Sequence, residues 1–231
     1  METNEERLYA TIINLAAYKE IIGWKCILSP YQSELNFFNI RKTPKEYVKS
    51  ELEWYLSCDL DVSKIEKKAK LWSEIKSTKN KVNSNYGWCI FHKDNHFQYT
   101  NCIVKLLQNP ASRQASMIYT RPSMHMDATT NKMKDFMCTN YVQVLIREDR
   151  LVYIVHQRSC DFVYGFFNDF AWHCYVFNKL EKDLAKYLKG EGRGTIIYIC
   201  DSLHIYDKHY EMIDKIAAKI LLQDIQNDSS I

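Results

Sequence analysis

Proline and glycine are scarce in this chain, with four prolines and six glycines among 231 residues. No proline- or glycine-rich linker, internal repeat or low-complexity stretch divides the sequence, so we predict one domain over residues 1–231. Apolar residues make up 46% of the chain, which at this length is enough to build a substantial core.

Long apolar runs are absent as well. None approaches the ~18 residues that would suggest a membrane span, so no membrane partner is predicted. The first ten residues, METNEERLYA, are acidic and lack the basic and apolar regions of a signal peptide. We therefore expect a cytoplasmic protein with reduced thiols.

Neither charge nor cysteine spacing indicates a nucleic-acid or metal partner. The formal net charge is only +3 and no basic block stands out, so a nucleic-acid polymer is not predicted as a partner. The eight cysteines form no CxxC pair, and no Cys/His spacing fits a zinc site, so no metal is predicted. A catalytic cysteine must therefore be identified by its surroundings.

Helical and strand patterns alternate along the chain. Helical spacing predicts helices over residues 5–19, from Thr43 onward, and over 66–77, 95–108, 168–189 and 204–223. Strand patterns occur at 114–120, 140–146, 151–157 and 195–200. The two middle strands should form a β-hairpin around the turn REDR, while 83–91 is predicted to be irregular. The sum predicts an α+β fold, a mixed β-sheet with helices packed on one side.

One acidic residue falls on an apolar helix face. In the helix that begins at Thr43, Glu51 lies four residues from both Tyr47 and Tyr55, which belong to the apolar stripe. Burying an unpartnered carboxylate costs roughly several kcal/mol. Glu51 is therefore either a helix-edge residue whose tip reaches water or a buried acid–base group with a raised pKa.

Other polar residues also have both an ordinary and a functional interpretation. Arg158 and Ser159 can bind a phosphate, because a guanidinium binds two oxygens and the hydroxyl adds a donor. Asn168 and Asp169 can equally be helix N-caps. By pattern alone, the remaining candidates are a lone cysteine, a loop arginine, a surface histidine and a core tyrosine: Cys138, Arg113, His204 and Tyr206.

Seven segments, in order, resemble the thymidylate synthase superfamily. They are ELEWYL (51–56), LW (71–72), NYGW (85–88), NPASRQASM (109–117), DFMCTN (135–140), QRSCDFVYGFFND (157–169) and SLHIY (202–206). The similarity runs from about Glu20 to Ile213. It implies a thymidylate synthase-like fold and a homodimer, formed through the sheet, with two shared active sites.

Within the superfamily, the chain is more similar to the phage-type deoxycytidylate hydroxymethylases. Synthases that act on deoxyuridylate carry an asparagine where this chain has Asp169. An amide pairs with uracil, whereas a carboxyl group can accept from the amino group of cytosine and share a proton with its ring nitrogen. The resemblance therefore implies a folate-dependent hydroxymethyltransferase that acts on dCMP, in a bacterial or phage-infected host cytoplasm.

The resemblance also implies a role for each candidate residue. Cys138 would attack carbon 6 of the pyrimidine as a thiolate, ionised with the help of neighbouring arginines. The co-substrate 5,10-methylenetetrahydrofolate would supply the one-carbon unit to carbon 5, and Glu51 would organise water and move protons. The remaining roles are a place beside the nucleophile for Tyr86, phosphate binding for Arg158 and Ser159, phosphate binding across the dimer for Arg113, nucleotide binding for Asn168 and Asp169, sugar binding for His204 and Tyr206, and folate binding for Trp72, Asp161 and Gly165.

The chain departs from the family pattern around the phosphate and the folate. Gln114 replaces the second of two adjacent arginines, and the N-terminal segment is too short for the family's basic loop. Lys25 or Arg41 could provide a different phosphate contact. The tail QNDSSI does not resemble the apolar tail that closes over folate in synthases, which favours access of water.

Three other functions remain open from the sequence. The first is a CMP 5-hydroxymethylase of a pyrimidine antibiotic pathway, although Ser159 resembles the deoxy-specific enzymes. The second is thymidylate synthase-type methylation of dUMP, which Asp169 argues against. The third is a catalytically silent nucleotide-binding homologue, supported by the missing phosphate ligands and opposed by the presence of Cys138, Glu51 and Asp169 together.

Overall fold

A mixed sheet with helices on one face forms the body of the protein. The structure, a computed structural model, describes residues 12–14, 17–31, 45–189 and 194–218. Within these ranges the chain forms seven strands, six α-helices and a further helical segment over residues 210–218. No helix of this described part is long and apolar enough to cross a membrane.

The seven strands form one sheet in the order β1-β2-β7-β5-β4-β3, with β6 paired to β7. The pairs β5–β7 and β6–β7 are parallel and the others are antiparallel, so the sheet is mixed as predicted. The strands are β1 (Ile12–Asn14), β2 (Tyr18–Leu28), β3 (Ser116–Ile118), β4 (Thr139–Arg147), β5 (Arg150–Gln157), β6 (Cys160–Asp161) and β7 (Thr195–Tyr206).

The central helix α6 covers the buried face of the sheet. Its aromatic residues pack edge-on against strand aromatics, as where Phe166 meets Trp24 with ring centroids 5.7 Å apart and Phe177 meets Tyr153 at 6.2 Å. This burial, rather than helix propensity, holds the helix in place. The helices are α1 (Lys45–Leu56), α2 (Leu71–Ile75), α3 (Tyr86–Phe91), α4 (Gln98–Gln108), α5 (Met124–Asn131) and α6 (Phe166–Asp183).

Strands β4 and β5 confirm the predicted hairpin and carry the site. Their alternating sequence gives alternating burial, because successive side chains point to opposite faces of the sheet. Gln157 is the last inward residue of β5 and is completely buried although it is polar. The register pairs it with Thr139, the residue after Cys138. The hairpin therefore places the cysteine beside the polar end of β5.

The predicted helix over residues 5–19 is wrong where the structure describes it. Residues 12–14 form β1 and 18–19 begin β2, while 5–11 and 15–16 lie outside the described residues. The reason is tertiary. Strand β2 pairs with β7 along its whole length, from Tyr18↔Tyr206 to Leu28↔Ile196, and this ladder overrides the local helical spacing.

The same ladder corrects the predicted last helix over 204–223. Strand β7 continues to Tyr206, a 3-10 turn covers Asp207–His209, and α-helical structure follows from residue 210, while 219–223 lie outside the described residues. His204 and Tyr206 are therefore on a strand and not on a helix. The predicted strand over 195–200 is confirmed but is twice as long, since it runs to Tyr206.

The segment 83–91, predicted to be irregular, contains α3. Asn85 caps this short helix by accepting from the backbone N–H of Trp88 at 2.8 Å. Gly87 allows α3 to approach α1, because a Cβ at this position would lie 1.8 Å from the carbonyl oxygen of Tyr55. The capping residue and the glycine thus bring α3 close to the end of α1.

The other predicted helices and strands differ mainly at their ends. The predicted 66–77 helix is reduced to α2, the 168–189 helix begins earlier and ends at Asp183, and the 95–108 helix begins at Gln98. The strand predicted at 114–120 is β3. The predicted helix start at Thr43 lies outside the described residues, but the helix itself is α1.

Candidate active site

Four predicted catalytic residues converge from four elements. Glu51 lies on α1, Tyr86 on α3, Cys138 just before β4 and Asp169 in the first turn of α6. The Tyr86 hydroxyl lies close enough to the other three to interact with their charges. Burial raises its pKa well above the usual value, and Asp169, Cys138 and Glu51 raise it further. The fold therefore gathers a thiol, two carboxyl groups and a phenol in one site.

Glu51 is a buried acid–base group, and not a helix-edge residue that reaches water. Its side chain is 5% exposed, and the Tyr47 hydroxyl donates to its Oε1 at 2.8 Å. Burial raises its pKa to about 8, with a further contribution from Asp169, while hydrogen bonds from Tyr47 and Tyr55 act in the opposite direction. Near neutral pH this carboxyl group can therefore either hold or release a proton.

Asp169 has a similar but smaller shift. Burial raises its pKa to about 6, against hydrogen bonds from Gln157 and Tyr86 that stabilise the anion. The Gln157 side-chain amide donates to Oδ2 at 2.7 Å. Asp169 is not an N-cap, because Gly165 occupies that position and receives the backbone N–H of Asp169 at 3.0 Å.

Neighbouring Asn168 is not the N-cap either, since it lies inside α6. Its side-chain Oδ1 atom is buried and has no hydrogen-bond partner among the described residues. An unpaired buried acceptor is costly, roughly 1–3 kcal/mol, and is therefore suited to a ligand that brings a donor.

Arg158 holds the loop that carries Cys138. Its Nε donates to the carbonyl oxygen of Met137 at 3.0 Å and its Nη2 to that of Phe136 at 2.5 Å, and its backbone N–H donates to the carbonyl oxygen of Cys138 at 3.0 Å. Two of its side-chain donors are thus used within the chain. The predicted role in binding phosphate rests on the remaining N–H groups.

The thiol of Cys138 is not ionised in the single chain. Burial raises its pKa to about 12 and Asp169 raises it further, while Arg158 lowers it. We expected neighbouring arginines to ionise this thiol. Arg158 does lower its pKa, but the increase caused by desolvation is larger, so the thiol stays protonated.

A second group of predicted residues borders the first. His204 on β7 pairs with Asp161 on β6, and its ring meets that of Tyr206 edge-on at 5.2 Å. Burial, Asp161 and then Cys138 raise the pKa of the Tyr206 hydroxyl, which places it near the nucleophile. The three residues therefore lie together, although the resemblance assigns Asp161 to the folate and the other two to the sugar.

The turn between β6 and α6 is held by its own aspartate. The Asp161 Oδ1 accepts from the backbone N–H groups of Val163 at 2.8 Å and Tyr164 at 3.1 Å. Gly165 closes the turn, where a Cβ would lie 3.2 Å from the Asp161 carbonyl oxygen. Ser159 is half-buried in the bend between β5 and β6, directly after Arg158.

Trp72 and Arg113 differ in exposure: the first is buried and the second is at the surface. Trp72 is 5% exposed, packs against Trp54 at 4.9 Å, and donates its N–H to the Tyr47 hydroxyl at 3.1 Å. Arg113 is exposed in the loop after α4, beside Gln114, which accepts from Lys105 at 3.4 Å. Lys25 is exposed on β2, and Arg41 lies outside the described residues.

Sequence reasoning did not identify Gln157 and Tyr47 as site residues. Gln157 holds Asp169 and also donates to Thr139 at 3.2 Å, and Tyr47 holds Glu51. The sequence does contain a signal for Gln157, because it is a polar residue at an inward position of an alternating strand. Tyr47 has only its spacing of four residues from Glu51.

The raised pKa of Glu51 predicts a pH-dependent gain of stability on substitution. Between about pH 4.5 and 8 the unfolded chain releases this proton and the folded chain keeps it, so stability falls as pH rises. Glu51→Gln removes this ionisation. We therefore expect the change in unfolding free energy that it causes to be more favourable at pH 8 than at pH 5, by about a few kcal/mol. Thermal unfolding at the two pH values measures this difference.

Glu53→Gln is the matched control, because Glu53 is exposed on the same helix. It should change stability equally little at both pH values. A Glu51→Gln effect that does not depend on pH would mean that Glu51 ionises normally in the folded protein.

Comparison with known proteins agrees with this arrangement. The family profile of thymidylate synthase matches residues 17–223. The deoxycytidylate 5-hydroxymethyltransferases of Enterobacteria phages T4 and T6 are each 46% identical to the chain over 172 residues, which is 73% of this chain and 70% of each relative. A thymidylate synthase of Fusobacterium nucleatum is 27% identical over 205 residues, 86% of this chain and 70% of that protein.

The profile match covers most of the chain and includes every element that carries Glu51, Tyr86, Cys138 and Asp169. The mixed sheet and the convergence of these residues agree with the resemblance seen in the sequence. The protein therefore belongs to the thymidylate synthase family.

Proposed function

We propose that this enzyme transfers a one-carbon unit from 5,10-methylenetetrahydrofolate to carbon 5 of dCMP and completes the reaction with water, giving 5-hydroxymethyl-dCMP and tetrahydrofolate. The observation that carries the proposal is an aspartate, Asp169, in the same site as Cys138 and Glu51. The phage relatives, which are deoxycytidylate 5-hydroxymethyltransferases, support the same reaction.

Asp169 is proposed to identify the base. The Gln157 amide donates to Oδ2 and Tyr86 also hydrogen-bonds this carboxyl group, and we propose that its remaining acceptor positions face the base. With a pKa of about 6, the group can accept from the amino group of cytosine and share a proton with the ring nitrogen. Uracil presents a carbonyl and an N–H at these positions and would leave the carboxylate facing an acceptor.

Cys138 is proposed to be the nucleophile. As its sulfur bonds to carbon 6, the ring electrons move toward the ring nitrogen, which takes the proton shared with Asp169, and carbon 5 becomes nucleophilic. Because the pKa of the thiol is about 12, its proton must leave as the bond forms. The ionised fraction of Glu51, whose pKa is about 8, is proposed to take this proton, and Arg158 holds the loop in place during the attack.

The folate is proposed to bind beside the turn at Asp161 and Gly165. It supplies the one-carbon unit. The turn is rigid, since Asp161 caps it, and the absence of a side chain at Gly165 allows close packing. The unpaired Oδ1 of Asn168 at the start of α6 fits a ligand that offers an N–H group. Trp72 is buried, so it is better suited to supporting Glu51 through Tyr47 than to offering an open ring face.

The sugar and phosphate contacts are proposed for the end of β7 and the bend after β5. His204 and Tyr206, at the end of β7, are proposed to bind the sugar hydroxyl, and Tyr206 lies near Cys138. Ser159 and the free N–H groups of Arg158 are proposed to bind the phosphate. A phosphate there would also add negative charge beside Arg158, and Arg113 of a second subunit would balance it.

A homodimer through the open face of the sheet is proposed on apolar exposure. On the face opposite α6, strand residues such as Ile154 and Ile199 are only half-buried, Tyr141 is 38% exposed and Ile27 is 69% exposed. A second copy would cover this face and bring exposed Arg113 near the partner site. Sedimentation at micromolar concentration tests this, and a monomer contradicts it.

We also propose that the protein works in the cytoplasm of a bacterium or of a phage-infected cell. All eight cysteines are free, which suits a reducing compartment. Fractionation of producing cells tests this, and recovery from the periplasm would contradict it.

Product mass is the experiment that tests the proposed reaction. The purified protein is incubated with 5,10-methylenetetrahydrofolate and, separately, with dCMP, CMP, dUMP and UMP. We expect a mass gain of one hydroxymethyl group on dCMP, with tetrahydrofolate as the second product. A methyl gain on dUMP with dihydrofolate would instead support a synthase, and a gain on CMP would support the ribonucleotide enzyme. No product with any nucleotide, with binding intact, would support a silent homologue.

A further inference from the structure

The Tyr47 hydroxyl joins Glu51 to Trp72. It donates to the Glu51 carboxylate at 2.8 Å and accepts the indole N–H of Trp72 at 3.1 Å. Both distances are typical of hydrogen bonds. The hydroxyl donates one bond and accepts the other at the same time. The three side chains come from α1 and α2, so the contact also ties these helices together at the site.

We propose that Tyr47 is a positioning residue for the proposed reaction: held by Trp72, its hydroxyl fixes the Glu51 carboxylate in the orientation that serves addition of water to the one-carbon unit attached to carbon 5. The inference rests on the proposed function and extends it to a residue outside the set that the sequence singled out. Tyr47 acts through Glu51 and need not touch the nucleotide.

The arrangement of α1 supports this role. Tyr47 and Tyr55 lie one turn before and one turn after Glu51, and both stabilise its anion by hydrogen bonding. Tyr55 is itself stacked on Tyr86 with ring centroids 5.0 Å apart and planes 12° apart. Glu51 therefore accepts hydrogen bonds from the preceding and the following turn of its own helix. The Tyr47 hydroxyl is in turn hydrogen-bonded to Trp72, which lies on α2.

The charges around Glu51 make the Tyr47 contact chemically consequential. The titratable groups that act on Glu51 are Tyr47 and Tyr55 on its own helix and Asp169 on α6, and Tyr86 on α3 senses it in turn. Burial and Asp169 disfavour the anion, while the two tyrosines favour it. Removing one of two stabilising donors leaves the opposing effects in place, so the Glu51 pKa must rise.

Tyr47→Phe tests the inference with the ring retained and the hydroxyl removed. We expect kcat for hydroxymethylation of dCMP to fall about tenfold or more, the size expected for losing a hydrogen bond to a charged group. We expect KM for dCMP to change less than about twofold, because the residue does not contact the nucleotide. The activity that depends on ionised Glu51 should shift to higher pH by about one unit.

Tyr99→Phe is the matched control. The Tyr99 hydroxyl also donates to a carboxylate, that of Asp183 at 2.7 Å, but it does so between α4 and the far end of α6. It should leave kcat and the pH profile unchanged. If Tyr47→Phe matches Tyr99→Phe in both, the inference is wrong and Tyr47 only supports the fold.

Trp72→Phe keeps the test decisive if Tyr47→Phe does not fold. It removes the N–H that holds the Tyr47 oxygen, and we expect the same alkaline shift, smaller in size. An unchanged pH profile in this variant overturns the inference.

The wild-type protein, assayed in parallel, separates this inference from the proposed function. If it makes no hydroxymethylated nucleotide, the proposed function fails. If it does and the variants behave like it, only the role of Tyr47 fails.

Discussion

Asp169→Asn is expected to reverse the base preference of the enzyme. We expect kcat/KM for dCMP to fall at least about 100-fold and that for dUMP to rise, so that the uracil nucleotide becomes the better substrate. Product formation from equimolar dCMP and dUMP, followed by mass, measures the change directly.

The reason is the contact with Gln157. Because the Gln157 amide donates to Oδ2 of Asp169, the oxygen of a new asparagine should take that position and its NH₂ group the other. The edge that faces the base then presents a donor where the wild-type carboxylate presents an acceptor. Such a group pairs with the carbonyl of uracil and meets the amino group of cytosine as donor against donor.

Asp183→Asn is the matched control on the same helix. Asp183 ends α6 and accepts from Tyr99 and Lys179, outside the catalytic cluster. It should leave the preference for dCMP unchanged. If Asp169→Asn also keeps that preference while remaining folded, Asp169 does not read the base.

Cys138→Ala is expected to abolish the reaction. Without the sulfur there is no bond to carbon 6, and carbon 5 does not become nucleophilic, so both hydroxymethylation and release of tritium from carbon 5 of labelled dCMP should fall at least about 10⁴-fold. Nucleotide binding should survive, because the thiol is not among the proposed contacts to phosphate or sugar. Calorimetric titration with dCMP checks the binding.

Cys58→Ala controls for loss of any thiol. Cys58 is also half-buried, but it lies just beyond the end of α1. Its removal should leave activity near the wild-type level. Residual turnover by Cys138→Ala within about tenfold of wild type would show that another group makes the bond, or that no covalent bond is needed.

The sequence predicted which residues of the site come together better than it predicted their local structure. Glu51 was identifiable because a carboxylate stood within an apolar helical stripe, and the structure buries it as that pattern suggests. The roles of Cys138 and Asp169 came from resemblance, because a single cysteine or aspartate has no periodic context of its own. The structure brings all three together.

Features that depend on long-range contacts could not be predicted. Residues 18–19 belong to the predicted 5–19 helix but begin β2, because Tyr18 pairs with Tyr206 on β7, 188 residues further along the chain. The ionisation of Cys138 was misjudged for a similar reason, since the sequence shows nearby arginines but not the desolvation that outweighs them. Gln157 and Tyr47 acquire their roles only when strands and helices meet.

The most direct test of the account is the mass of a trapped covalent complex. A 5-fluoro derivative of dCMP cannot lose its fluorine as a cation, so the bond from sulfur to carbon 6 should persist once the one-carbon unit has joined carbon 5. Incubation with this nucleotide and 5,10-methylenetetrahydrofolate, followed by peptide mapping, should place the adduct on Cys138, one of eight cysteines in the chain. An adduct on another residue, or a protein that turns over dCMP but never carries one, would contradict the mechanism.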